Sequence, residues 1–247
     1  REAFARAAAS PCMSSLCFLT DSDGLREEYQ AIHPVDLGVV PIPHCTINHG
    51  TEPAVQGSNG LRLLFAGQAR HDKGIDLLKQ VIKGFPSQIG SFRIEFAIQD
   101  MDLGRDFEEK KLDTPLQSAS IASYPAILGE SDYEQFLSSA DIVLIPYLRD
   151  NYHVQTSGVF AEAVALGKPV VVPQNTWMAS EAARFGTGVT FKAGDVESLA
   201  GACLKACKEI EILRGRANSA AVEWGRIHNA DRFIEILEGH ITFKRNA

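Results

Sequence analysis

From residue 61 onward, short runs of apolar and β-branched residues alternate with longer stretches in which apolar side chains recur every three or four positions. The runs 61–67 (LRLLFAG), 92–99 (FRIEFAIQ), 124–128 (YPAIL), 141–147 (DIVLIPY), 168–173 (KPVVVP) and 188–191 (GVTF) are predicted strands. Between them, 74–85, 131–140 with Ser131 as its cap, and 158–167 ended by Gly167 are predicted helices. A charged stretch, 102–111, follows the second strand. Asp195 is placed to cap a helical tail whose apolar face starts at Ser198 and Leu199. Strands that are apolar on both faces and separated by helices imply a sheet covered on both sides. The expected class is therefore α/β, a Rossmann-like, doubly wound parallel sheet with a helical C-terminal tail.

The first sixty residues differ in character. Residues 15–32 (SLCFLTDSDGLREEYQAI) read as a strand, a turn and a helix, and 37–50 (LGVVPIPHCTINHG) as an extended linker. One strand and one helix cannot enclose a core. The expectation is a remnant of a preceding domain and its linker over 1–50, joined to a nearly complete second domain over 51–247. The absence of an initiating Met suggests a fragment or a processed chain.

Composition narrows the classes. Hydrophobic residues at 45% and charged residues at 22% fit an ordinary globular protein. No apolar run approaches the roughly 18 residues of a membrane span, and the opening, with acidic Glu2, does not read as a signal peptide. A net charge of −7 with scattered Lys and Arg argues against a nucleic-acid partner. The five cysteines form no Cys-x-x-Cys pair, which fits a reducing cytoplasm; Cys203 and Cys207, four apart on a predicted helix, read as packing residues rather than metal ligands.

In open α/β sheets ligands bind beyond the carboxyl ends of the strands, which directs attention to loops 67–74, 128–131, 147–158 and 173–178. In 67–74 (GQARHDKG), Gln68, Arg70 and Lys73 can present donors to an anion, and Gly67 lets the backbone approach closely. The stretch Gln155, Thr156, Ser157 leads into a helix at Gly158. The first N–H groups of that helix, on Gly158, Val159 and Phe160, form a ready anion site. Glu162, about one turn on, could accept two hydroxyl hydrogen bonds from the diol of a ribose. The same residues also read as an ordinary capped helix, with Ser157 as cap and Glu162 complementing the dipole, and 67–74 as a solvated basic turn. No G-x-x-x-x-G-K-[ST], G-x-G-x-x-G helix entry or G-x-S-x-G elbow is present. His71 and His153 lie on crevice loops, His228 and His240 in the tail, and His44 and His49 in the linker; each reads as a surface or structural residue.

Together these residues resemble the nucleotide-binding C-terminal domain of a GT-B glycosyltransferase, in the large family 4 of retaining enzymes. The resemblance runs from about Cys17 to the C-terminus. In that family a Gly-Arg…Lys-Gly loop contacts the donor pyrophosphate, and GQARHDKG occupies its place. The family's Glu-x7-Glu mark, followed by A-x-x-x-G-x-P-V-V, is matched in its second half by EAVALGKPVV. CFLTDSDGLREEY and VVPIPH resemble the segment that ends the acceptor-side domain. Two positions depart from the pattern: Gln68 stands where the family has Arg, and Val154 where it has the first Glu, the one that helps hold the donor sugar.

The resemblance implies transfer of a sugar from a nucleotide-diphosphate donor with retention of configuration, without a metal or cofactor. It gives Lys73 and Arg70 the role of offsetting charge on the departing diphosphate. Gly67, Gln68, Thr156, Ser157, Gly158, Val159 and Phe160 would hold the phosphates, Glu162 would hold the ribose, and Leu128 with Ile127 would line the base. The acceptor, whether glycan, lipid or small molecule, would be met mainly by the missing first domain, and the full-length protein could associate peripherally with a membrane. Two rivals stand beside this reading: a non-catalytic nucleotide-sugar-binding module and a GT-B nucleotide-sugar epimerase.

Overall fold

The computed structural model describes residues 2–10, 16–43, 60–99 and 119–246. Helix α1 (Glu2–Ala8) precedes a small unit in which β1 (Phe18–Thr20) and β2 (Leu37–Val39) pair in parallel across α2 (Asp23–Ile32). The Ser22 hydroxyl starts α2 by accepting the N–H of Leu25 at 3.2 Å. Strand β2 falls inside the stretch predicted as linker. Leu37 is buried and pairs with Phe18, so a ladder forms before Pro41 and Pro43 exclude one. The predicted boundary at residue 50 lies in 44–59 and the charged stretch in 100–118, both outside the described residues.

The main sheet, seven-stranded among the described residues, is built from β3 (Gly60–Phe65), β4 (Gln88–Ile89), β5 (Phe92–Gln99), β6 (Ser120–Tyr124), β7 (Ile142–Leu144), β8 (Val170–Pro173) and β9 (Gly188–Phe191). Strand β3 is central, parallel to β5 on one side and to β7 on the other. Strands β8 and β9 continue beyond β7 in parallel. Strand β6 lies parallel to β5, whose first residues also take the short antiparallel β4. The chain thus winds outward from β3 to β6, returns to the middle at β7, and winds outward again. The order reverses between β3 and β7, and the crevice beyond their carboxyl ends is where such sheets take ligands.

Among the described residues eight α-helices follow β3: α3 (Ile75–Gly84), α4 (Glu130–Ser138), α5 (Arg149–Tyr152), α6 (Gly158–Ala165), α7 (Trp177–Phe185), α8 (Val196–Lys208), α9 (Ile210–Ile227) and α10 (Ala230–Asn246). Alternate residues of each strand feed two separate cores. Leu63, Phe65, Phe96, Ile98, Ile142 and Leu144 pack with α3 and α8 on one face. Leu64, Ala97, Val143, Val170 and Val172 pack with α4, α6, α7 and Trp224 of α9 on the other. Each such Leu, Val or Phe contributes about 1.5 to 3 kcal/mol by leaving water. Both Cys203 and Cys207 of α8 are buried in the first core, and burial raises both thiols, that of Cys207 to about 12, consistent with a packing role.

Three predicted boundaries need correction. The third strand of the sheet is Ser120–Tyr124 rather than 124–128, because Pro125 has no N–H to extend the ladder that ends with Gln99 opposite Tyr124. Helix α4 starts at Glu130 from a Gly129 cap position, with Tyr133 N–H donating to Gly129 O at 2.8 Å, so Ser131 lies inside the helix and does not cap it. Helix α7 occupies 177–185, between the strands predicted at 168–173 and 188–191; Thr176 caps it by accepting from Ala179 N–H at 3.2 Å. Asp195 does cap α8, accepting from Ser198 N–H at 3.0 Å.

Candidate functional site

The loop after β3 and the loop after β7 touch backbone to backbone. Gly74 adopts φ 74°, and a Cβ there would lie 1.8 Å from Pro146 O, so only glycine allows the contact. Leu148 N–H donates to Asp72 O at 3.0 Å across the same seam. Gly67, at φ 89°, donates its N–H to Gln99 Oε1 at 2.6 Å, and Gln99 Nε2 donates to Ala126 O at 3.2 Å. One buried glutamine at the end of β5 thereby fixes both the β3 loop and the approach to α4.

Lys73 projects into this seam. A Cβ on Gly67 would come within 2.8 Å of its Nζ, and the ammonium lies 5.4 Å from the centroid of the Tyr147 ring. Burial pushes the Lys73 pKa below its ordinary 10.5 and Arg70 adds to the shift, while Asp72 and Glu162 favour the charge. The first turn of α6 closes the other side: Val159 Cγ2 lies 3.8 Å from the Cβ position of Gly67. A Cβ on Gly158 would meet nothing within 4 Å, so the backbone at the start of α6 faces open space. Glu162, one turn on, accepts a hydrogen bond from the Tyr133 hydroxyl at 2.7 Å. Burial and then Glu162 raise the Tyr133 pKa, so the phenol keeps its proton.

The structure therefore brings together Gly67, Lys73, Gly158, Val159 and Glu162. The other candidates are placed differently. Arg70 is half-exposed and paired with Asp72 at 2.9 Å, and Tyr152 donates to the same carboxylate at 3.3 Å. Gln68 is exposed. Ser157 is buried and accepts from Phe160 N–H at 3.3 Å, which commits that N–H to the cap, and the Phe160 ring is buried against Trp177 and Trp224. The Thr156 hydroxyl donates to Asp21 Oδ2 at 2.7 Å and so faces the N-terminal segment. Leu128 packs on the second core while Ile127, 85% exposed, stands in solvent.

The sequence reading missed Asp72, Gln99, Tyr133 and Tyr147 as parts of this site. Tyr133 carried the best signal: a tyrosine on the apolar side of a helix must find a partner for its hydroxyl. Beside the seam, the N-terminal segment grips the loop before α6. Ser22 Oγ donates to Val154 O at 3.1 Å, His153 Nε2 and Glu28 Oε1 lie 2.7 Å apart, and a Cβ on Gly24 would be 3.1 Å from Val154 Cγ1. Between these parts lies a cleft of about 520 Å³ lined by Asp21, Ser22, His153, Val154, Asn175 and Glu181, among others.

Comparison with known proteins follows the same outline. No curated protein matches this sequence. Among solved structures, a glycosyltransferase from Rickettsia africae aligns with TM-score 0.68 at 12% identity, over 100% of this chain and 68% of its own. Sucrose-phosphate synthase from Thermosynechococcus elongatus aligns with TM-score 0.65 at 16% identity, over 93% of this chain and 58% of its own. The pneumococcal O-GlcNAc transferase GtfA, solved with UDP and GlcNAc, gives 0.64 at 16% identity, over 99% and 47%. At such identities the likeness is one of fold, that of GT-B glycosyltransferases, and the chain spans about half to two thirds of these neighbours. Residues 60–209, from β3 through α8, match the family described as glycosyl transferases group 1. That match covers well over half of the sequence, and the chain belongs to the group 1 glycosyl transferases.

Proposed function

We propose that this chain is the donor-binding part of a retaining GT-B glycosyltransferase of family 4, which takes a hexosyl group from a nucleotide-diphosphate sugar and passes it to an acceptor. The observation that supports this most is the convergence of the Lys73 ammonium, the Gly67 backbone and the open start of α6 at the switch point, with Glu162 one turn further along. A diphosphate in the seam meets a cation and the first N–H groups of a helix, the environment that stabilises a leaving group gaining negative charge. Glu162 then faces the ribose. Lys73 carries the larger share of the electrostatic role, because Arg70 is already engaged with Asp72. The reading takes the protein as cytoplasmic and metal-independent, with the acceptor, glycan, lipid or small molecule, met largely by the preceding domain and with residues 1–50 as the end of that domain. The UDP in the solved pneumococcal neighbour is consistent with a nucleotide donor.

Calorimetric titration with UDP-, GDP- and ADP-sugars tests the reading. Lys73→Ala and Glu162→Ala are each expected to weaken binding by about 1 to 3 kcal/mol, the range for one charge-assisted hydrogen bond. Unchanged affinity in both variants removes the site. A second reading, a binding module without turnover, is favoured by one observation: Val154 stands at the sugar-holding position and is held against Gly24 and Ser22. Transfer or donor hydrolysis by the full-length protein selects the enzyme; tight donor binding without either selects the module.

A further inference from the structure

We propose that Tyr133 is a positioning residue for the nucleotide, its phenol holding the Glu162 carboxylate in the orientation that receives a ribose diol; this rests on the donor-binding reading above. Glu162 interacts electrostatically with Tyr133, Lys73 and Tyr147. Tyr133 donates to Oε2 at 2.7 Å, while Lys73 feels the carboxylate at longer range. A glutamate side chain has several rotamers, and an unrestrained Glu162 would be drawn toward the Lys73 ammonium, neutralising the charge meant for the diphosphate. The Tyr133 hydroxyl opposes that swing.

The tyrosine is itself fixed. Its N–H is bonded to Gly129 O in the opening turn of α4, and its ring packs against the second core with Leu128. Helix α4 begins just beyond the carboxyl end of β6, and from there the Tyr133 hydroxyl reaches Glu162 on α6. A phenol is a donor at neutral pH, and burial followed by Glu162 raises its pKa further. One hydrogen bond uses one of the roughly four lone-pair positions of the carboxylate, which leaves room for two sugar hydroxyls.

The test compares UDP, GDP and ADP with their 2′-deoxy forms by calorimetry, on the unaltered chain and on Tyr133→Phe, Glu162→Ala and the double variant, with the thermal midpoint of each. Tyr133→Phe is expected to weaken the bound ribonucleotide about five- to tenfold and its 2′-deoxy form less than about twofold, and to add nothing in the Glu162→Ala background. Equal loss for both forms with a lowered midpoint means that Tyr133 only packs, and overturns the inference. Weakening by Glu162→Ala with Tyr133→Phe silent overturns this inference and leaves the donor site standing. No binding of any of the three nucleotides by the unaltered chain overturns the donor reading and this inference with it.

Discussion

Lys73 combines two demands that pull against each other. Its ammonium is needed where an anion would sit, yet burial there lowers its pKa from 10.5. A depressed pKa in a base means that the proton leaves earlier as pH rises. Affinity for a nucleotide diphosphate is therefore expected to fall with rising pH before 10.5 is reached, and titrations in buffers of different ionisation enthalpy should show proton uptake on binding in that range. Lys73→Gln is expected to bind weakly and to lack this inflection. For folding the sign is the reverse of a salt-bridged lysine: the contribution is full above 10.5 and is lost as pH falls through the lowered value. Gly74 poses a steric constraint instead. Gly74→Ala drives a Cβ to 1.8 Å from Pro146 O at a positive φ, and is expected to lower stability by at least about 2 kcal/mol in chemical denaturation. Gly158→Ala, whose Cβ meets open space in a helix, is expected to be neutral or stabilising by up to about 1 kcal/mol.

At the scale of elements, capping and periodicity made most of the fold legible. Asp195 and Ser157 were identifiable as caps because short polar side chains ahead of apolar periodic runs have few better uses. Ser157→Ala is expected to cost about 1 kcal/mol, measured by thermal unfolding, and to loosen the start of α6 that faces the crevice. Helix α7 escaped notice because its buried face is largely Met178 and Ala182, and small residues give a weak periodic signal. Strand β6 escaped because its exposed serines, Ser120 and Ser123, break the alternation of a half-buried strand, whereas the more apolar stretch after it is interrupted by a proline. Within the site, Gly67, Lys73, Gly158 and Glu162 were legible, since glycines, a lone lysine and a carboxylate follow strand ends in fixed order. Pairings such as Tyr133 with Glu162 or Thr156 with Asp21 join residues far apart in sequence, and nothing local announces them. The Thr156 hydroxyl is engaged by Asp21 in this way, whereas the Phe160 N–H is engaged locally by the Ser157 cap.

At the scale of the whole molecule, the crevice is not an isolated feature of the main sheet. The N-terminal segment holds the loop before α6 through Ser22, Asp21 and Glu28. A ligand that orders that loop must also order its partner. Addition of nucleotide diphosphate is expected to slow amide exchange over 22–28 as well as 152–160, and Thr156→Val is expected to confine the protection to the second stretch, as read by hydrogen–deuterium exchange. Protection absent from 22–28 in the unaltered chain would show that the two parts are not coupled.

The return of the chain to the middle of the sheet also sets a schedule. Leu63 of β3 meets Ile142 of β7, so the central strand waits for a neighbour that the ribosome delivers only after β4, β5, β6 and the helices α3 and α4 have emerged. Until then one flank of β3 is bare, and the seam at Gly74 has nothing to close against. The nascent polypeptide thus acquires its sheet in part before it acquires its crevice, and any ligand captured during synthesis must arrive after Pro146 has left the exit tunnel.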